Sequence, residues 1–126
     1  MKRKYIIMTN NPLVNKTLKD ECEVRYISGT YEEILQAIRD RIHLGYRLMS
    51  HPLSGSVKPG ETPYKSVMLS TDKGRLDIKS LSMIESAIQS CKKFNFTKDS
   101  YDDRVLEDFQ TVDLSLIKSG IDAALG

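Results

Sequence analysis

Short strand-like runs separated by helix-period stripes constrain this chain more than any other feature of it. Tyr5-Ile6-Ile7-Met8 is continuous and apolar, ends at Asn10-Asn11-Pro12, and reads as a buried strand stopped by turn chemistry. Glu23-Val24-Arg25-Tyr26-Ile27 alternates polar and apolar residues up to Ser28-Gly29 and reads as a second strand. Between the second and third strands lies the clearest helix. Thr30 and Glu33 stand at capping-box spacing. Tyr31, Ile34, Leu35, Ile38 and Ile42 then form one apolar stripe, and Gly45 supplies the left-handed stop. Arg47-Leu48-Met49 and Val67-Met68-Leu69 read as strands three and four, the last closed by a turn at Thr71-Asp72-Lys73-Gly74.

The remaining stripes are helical. Leu13, Val14 and Leu18 suggest one or two turns. Leu81, Ile84, Ala87, Ile88 and Cys91 make a further helix, with Ser82 and Glu85 at capping-box spacing. Val105, Leu106, Phe109 and Val112, then Leu116, Ile117, Ile121 and Leu125, predict a C-terminal helical segment that Asp113 could divide by capping a second piece. Strands alternating with helices favour an α/β fold: a small, mainly parallel sheet of about four strands flanked by helices. At 126 residues the chain makes a single domain over 1–126, with room for one core.

Charge and cysteine usage narrow the class. A net charge of +2, with no clustered basic face, argues against a nucleic-acid partner. The Tyr5–Met8 run is far too short for a signal peptide or a membrane span, so a cytoplasmic protein with no membrane partner is expected. Cys22 and Cys91 match no metal-ligand spacing and read as small, reduced core residues, so neither a metal nor a cofactor is expected.

Function is sought first in the segment from His51 to Ser66, which holds three of the four prolines and two of the seven glycines. Connections in compact domains run to about 4–6 residues, and longer irregular ones are usually functional or disordered. Gly55 would let Ser54-Gly55-Ser56 turn successive backbone N–H groups inward as a small anion nest. Lys58 and Lys65 would add positive charge, and Ser54, Ser56 and Ser66 hydroxyl donors. A phosphate-binding Walker loop is excluded, since its GK[ST] ending and following helix are missing. The competing reading is a proline-stiffened loop whose serines satisfy their own backbone.

His51 precedes a proline, which biases it to extended geometry, and its imidazole would suit acid–base work. It is the one catalytic candidate. A hydrogen-bonded structural histidine is the alternative, because no paired carboxylate completes a constellation. Asn10 and Asn11 either orient a ligand with their amides or turn the chain at a strand-to-helix corner. Tyr64 either packs the loop onto the domain or offers its hydroxyl to a pocket. In open α/β sheets ligands gather at strand carboxyl ends. If the first and third strands are neighbours, the Thr9-Asn10-Asn11-Pro12 and His51–Ser66 segments border one crevice.

Residues across nearly the whole chain resemble the GrdX family. They are Thr9-Asn10-Asn11-Pro12-Leu13-Val14, Gly45-Tyr46-Arg47-Leu48, and especially His51-Pro52-Leu53-Ser54-Gly55-Ser56-Val57-Lys58-Pro59. Glu61-Thr62-Pro63-Tyr64-Lys65-Ser66, Ile84-Glu85-Ala87, Asp108-Phe109 and Val112-Asp113-Leu114-Ser115 continue the similarity. The resemblance implies an accessory protein encoded beside glycine, sarcosine or betaine reductase components in amino-acid-fermenting anaerobes. It implies no catalytic subunit and carries no catalytic residues with it.

Three functions follow as expectations. The first is a non-catalytic accessory protein that takes a small anion: phosphate, carboxylate or, from the family context, acyl phosphate. The second is an interaction module docking on a reductase component. The third is a small enzyme using His51 as acid or base. The C-terminal stripe would either pair with a second copy as a homodimer or cover the sheet.

Overall fold

The computed structural model describes residues 3–50, 62–92 and 101–125. The elements run β1 (Arg3–Thr9), α1 (Pro12–Leu18), β2 (Cys22–Tyr26), α2 (Tyr31–His43), β3 (Ser66–Ser70), α3 (Ile78–Lys92) and α4 (Asp103–Leu125). The fold is α/β, with a sheet of three strands in the order β2-β1-β3. It is mixed rather than mainly parallel. β1 and β2 run parallel through the α1 crossover, whereas β1 and β3 are antiparallel.

The expected third strand shrinks to a single antiparallel bridge, Leu48 to Leu69. Met49 N–H donates to the Met68 carbonyl at 2.7 Å and Ser70 N–H to the Arg47 carbonyl at 2.9 Å. Because β3 opposes both neighbours, residues 47–49 run in the same direction as β1. The alternation of strand and helix therefore sets the direction of the first three extended segments. It did not show that the chain reverses after Met49 and inserts β3 between β1 and the 47–49 segment.

β1 is buried on both faces, as its unbroken apolar run requires. Ile6 and Met8 join Val67, Leu69 and the stripes of α2 and α3 on one side. Tyr5 and Ile7 join Met68, Val14, Leu18, Ile117 and Ile121 on the other, beneath α1 and α4. Ile117 and Ile121 of the C-terminal stripe thus cover the sheet, while Val112 and Leu125 remain exposed. Full burial of each such aliphatic side chain contributes about 1.5–3 kcal/mol before chain entropy is charged against it.

Local chemistry sets the helix ends. Thr30 Oγ1 accepts from Glu33 N–H at 3.1 Å while Glu33 Oε1 accepts from Thr30 N–H at 2.8 Å, completing the expected capping box. Gly45 has φ 106°, and a Cβ there would collide with the Gly74 carbonyl. α3 begins earlier than the Ser82–Glu85 spacing suggests. Asp77 Oδ2 accepts from Ser80 N–H at 3.1 Å and caps it, and Glu85 pairs with Arg39 across α2 and α3. The Ser80 hydroxyl, which also donates to Asp77, holds the carboxyl of Asp77 below its usual range. Nor does Asp113 divide α4, which is continuous over 23 residues. Its carboxylate turns into the sheet instead of back onto its own helix.

Candidate functional site

The antiparallel pairing of β1 with β3 sets Thr9 opposite Ser66. It thereby brings the carboxyl end of β1 to the amino end of β3. The first and third expected strands are not neighbours, because β3 lies between them; it is residues 62–66, at the entry to β3, that meet the Asn10-Asn11 corner. α4 crosses this junction and supplies Asp113.

A run of buried polar side chains fills the junction. Thr9 Oγ1 lies 2.7 Å from Ser66 Oγ and accepts from Asn11 N–H at 2.9 Å. Asp113 Oδ2 accepts from Ser66 Oγ at 2.7 Å and from Asn11 Nδ2 at 3.0 Å. Asn11 Nδ2 also donates to the Gln110 carbonyl at 3.0 Å, and its Oδ1 accepts from Leu13 N–H at 2.9 Å, which caps α1. Proline follows at the first helical position, where its missing N–H costs nothing. Asn10 is used as fully: Nδ2 donates to the carbonyls of Pro63 (2.8 Å) and Gly29 (3.0 Å), and Oδ1 accepts from Lys65 N–H at 2.8 Å. Both amides therefore act here as tethers between segments remote in sequence. Their strand-to-helix corner is present, and their side-chain donors are engaged by protein.

Lys65 is 8 % exposed, an unusual position for an ammonium. Among the described residues no carboxylate reaches it at ion-pair distance. Burial pushes its pKa down, and the charge of Asp113 partly restores it. Asp113 shows the converse. Burial pushes its carboxyl above the ordinary range, while the hydrogen bonds from Asn11 and Ser66, and the charge of Lys65, hold it back. The Tyr31 phenol is raised by burial, with Cys91 and Asp113 adding to the effect.

Two cavities of about 20 Å³ each, room for roughly one water molecule, share Lys65, Asp113 and Leu116. Tyr31, Thr62 and Tyr64 line the first, Ser50 and Ser66 the second. Among the described residues no side-chain nitrogen or oxygen is both fully buried and unbonded, so the tip of Lys65 keeps contact with solvent. Tyr64 is buried, its ring against the domain, and its hydroxyl accepts from Gln110 Nε2 at 2.9 Å. An arrangement of this kind holds a cation whose stem is buried and whose tip meets solvent beside a carboxylate already committed to two donors. It can meet an anionic group that is small or presented end-on.

Of the residues expected at the site, Asn10, Asn11, Tyr64, Lys65 and Ser66 are brought together. His51, Ser54, Gly55, Ser56 and Lys58 lie outside the described residues. Gln110 and Asp113 were missed, and Thr9 stood in the segment singled out after the first strand without being named as a site residue. Asp113 left a trace in the sequence, because Phe109, Asp113, Ile117 and Ile121 recur every four residues. A carboxylate inside an apolar stripe is buried with its helix face and must find donors there.

No group of three or more His, Cys, Asp and Glu among the described residues is placed to hold a metal. Cys22 is buried, and its thiol donates to the Leu18 carbonyl. No described helix is long and apolar enough to cross a membrane.

No curated protein and no solved structure matches the chain. A family described as GrdX-like protein matches residues 6–122, which includes both strands of the junction and Asp113 on α4. On that match, which runs through nearly all of its length, the chain belongs to the GrdX-like protein family.

Proposed function

We propose that this is a non-catalytic accessory protein of glycine, sarcosine or betaine reductase metabolism, working in the cytoplasm, and that it binds a small anion through Lys65. The family membership supports the metabolic setting by its name. One observation carries the ligand: Lys65 is nearly buried beside two small cavities, with no carboxylate at ion-pair distance among the described residues. Asp113 tempers the charge but already accepts from Asn11 and Ser66. A desolvated ammonium whose nearest counter-charge is committed elsewhere favours an incoming anion. Cavities with room for about one water do not enclose a phosphate, so a phosphate, carboxylate or acyl phosphate would meet Lys65 at its solvent-facing tip. Docking on a reductase component is the other role for the same accessory protein.

Thermal unfolding of wild type and Lys65→Met against phosphate, acetyl phosphate, glycine, betaine and sarcosine tests the reading. A ligand that binds only the folded state stabilises it by about 1.4 kcal/mol at a tenfold excess over Kd. We expect a shift with phosphate or acetyl phosphate in wild type and none in Lys65→Met. A flat response of folded wild type to all five compounds overturns the anion site.

A further inference from the structure

β2 is an outer strand of the sheet, whereas the far side of β3 is covered by the 47–49 segment. We infer that β2 is a self-association edge, at which two copies of the chain pair antiparallel about Val24 and join their sheets into one. An unpaired strand edge is a template for another strand. What selects a second copy of this chain is the order of charges along it.

In a parallel ladder the main-chain groups of successive residues point alternately to the two sides of a strand. Ile27 N–H donates to the Thr9 carbonyl at 2.9 Å, so Ile27 faces β1, and Arg25 and Glu23 face it likewise. The main-chain groups of Val24 and Tyr26 therefore point outward, away from the sheet. A second β2 laid antiparallel with the two-fold axis at Val24 would exchange both hydrogen bonds between the two Val24 residues. It would then place Glu23 opposite Arg25 of the second copy, and Arg25 opposite its Glu23. Those flanking positions are the close, non-hydrogen-bonded kind, with Cα atoms about 4.5 Å apart. Both charges are half-exposed and on one face, where they already meet within the strand at 2.6 Å.

Register supports the choice. Moving the axis to Glu23 or Arg25 would set two like charges directly opposite, which is destabilising. Moving it by half a residue would put the apolar and charged faces on opposite sides of the joined sheet. Only pairing about Val24 is complementary to itself. On the other face, half-buried Val24 and Tyr26, 39 % exposed, would gain apolar cover. An edge protected against association usually carries charge of one sign, which repels its own copy; this one carries a balanced pair.

Sedimentation equilibrium of the full chain tests the inference with wild type, Glu23→Arg, and the double swap Glu23→Arg/Arg25→Glu. Wild type should form a dimer. Glu23→Arg sets Arg opposite Arg at two symmetric positions and should weaken the dimer roughly tenfold. The double swap restores opposite charges across the axis and should restore the dimer. In the wild type, amide exchange at Val24 and Tyr26 should slow as protein concentration rises. A monomeric wild type at every concentration, or a dimer indifferent to Glu23→Arg, overturns the inference. So does a double swap that is folded by circular dichroism yet stays monomeric. Should Glu23→Arg fail to fold, the concentration dependence of the wild-type Val24 and Tyr26 amides decides: protection that grows with concentration supports the edge, and its absence rejects it.

Discussion

Where α2 and α3 meet the sheet, the buried layer is made of Ile6, Met8, Ile34, Leu35, Ile38, Ile42, Val67, Leu69, Ile84 and their neighbours, with ion pairing kept to the rim. Where α4 crosses the junction of β1 and β3, the contact is instead a chain of hydrogen bonds from Thr9 through Ser66 and Asp113 to Asn11. The first face needs only the right residues at the right period. The second needs particular atoms at particular distances, because each buried polar group that loses its partner costs about 1–3 kcal/mol. A strong non-directional contact on one face thus leaves the other free to carry a nearly buried lysine beside a buried, hydrogen-bonded carboxylate.

The largest test of this contrast is a cavity in the apolar layer. Ile38 is fully buried on α2, and Ile38→Ala should destabilise the protein by about 4 kcal/mol through lost burial and the space left behind. Urea unfolding reads that value. A loss under about 1 kcal/mol would mean the layer relaxes freely and is not the rigid base of the fold.

Next comes a comparison of two helix caps, one on each side. Thr30 caps α2 in an exposed capping box, so Thr30→Ala should cost about 1 kcal/mol. Asn11 caps α1 by accepting from Leu13 N–H, and its amide also holds Gln110 and Asp113 on α4. Asn11→Ala should cost about 3 kcal/mol, since it strands a cap donor and removes a donor from a buried carboxylate. The same urea series measures both, and equal losses would show that the Asn11–Asp113 link adds nothing to stability.

The same asymmetry governs what was legible in the sequence. The stripe of α2, its capping box and the Gly45 stop were all readable, because periodicity and cap chemistry are local. The α/β class came through as well, whereas the stripe of Ile117 and Ile121, open in sequence between a second copy and the sheet, is laid on the sheet. What failed was non-local. Arg47-Leu48-Met49 has strand composition but makes one bridge, and the antiparallel insertion of β3 depends on a reversal that no single segment encodes. At the site, Asn10, Asn11, Lys65 and Ser66 were singled out as residues, while the side chain that organises them was read as a helix cap. An aspartate has the same composition signal whether it ends a helix or is buried under one. Only its place in the four-residue spacing of Phe109, Ile117 and Ile121 tells the two apart.

The smallest effect, and the one that isolates the charges, is the slope of stability with pH. Asp113 has a folded pKa raised above its unfolded value of 3.8. Its contribution is therefore greatest below 3.8 and is lost as pH rises through the folded value. Lys65 has a folded pKa lowered from 10.5. Its contribution is fully present above 10.5 and is lost as pH falls through the folded value. Both shifts disfavour the charged form, and relief comes from either direction. The stability of wild type relative to Asp113→Asn should rise as pH falls toward 3.8, and relative to Lys65→Met it should rise as pH climbs toward 10.5. The two variants also report on each other: without the carboxylate, nothing named here offsets the desolvation of Lys65, so in Asp113→Asn the alkaline rise should begin at lower pH. Ile38→Ala, on the apolar face, should differ from wild type by the same amount across the whole range. Guanidinium unfolding of the four proteins at a series of pH values measures every one of these slopes. Flat differences for the two charge variants would mean that solvent reaches Lys65 and Asp113 well enough to leave their titration ordinary, and the contrast between the two faces would then be one of geometry alone.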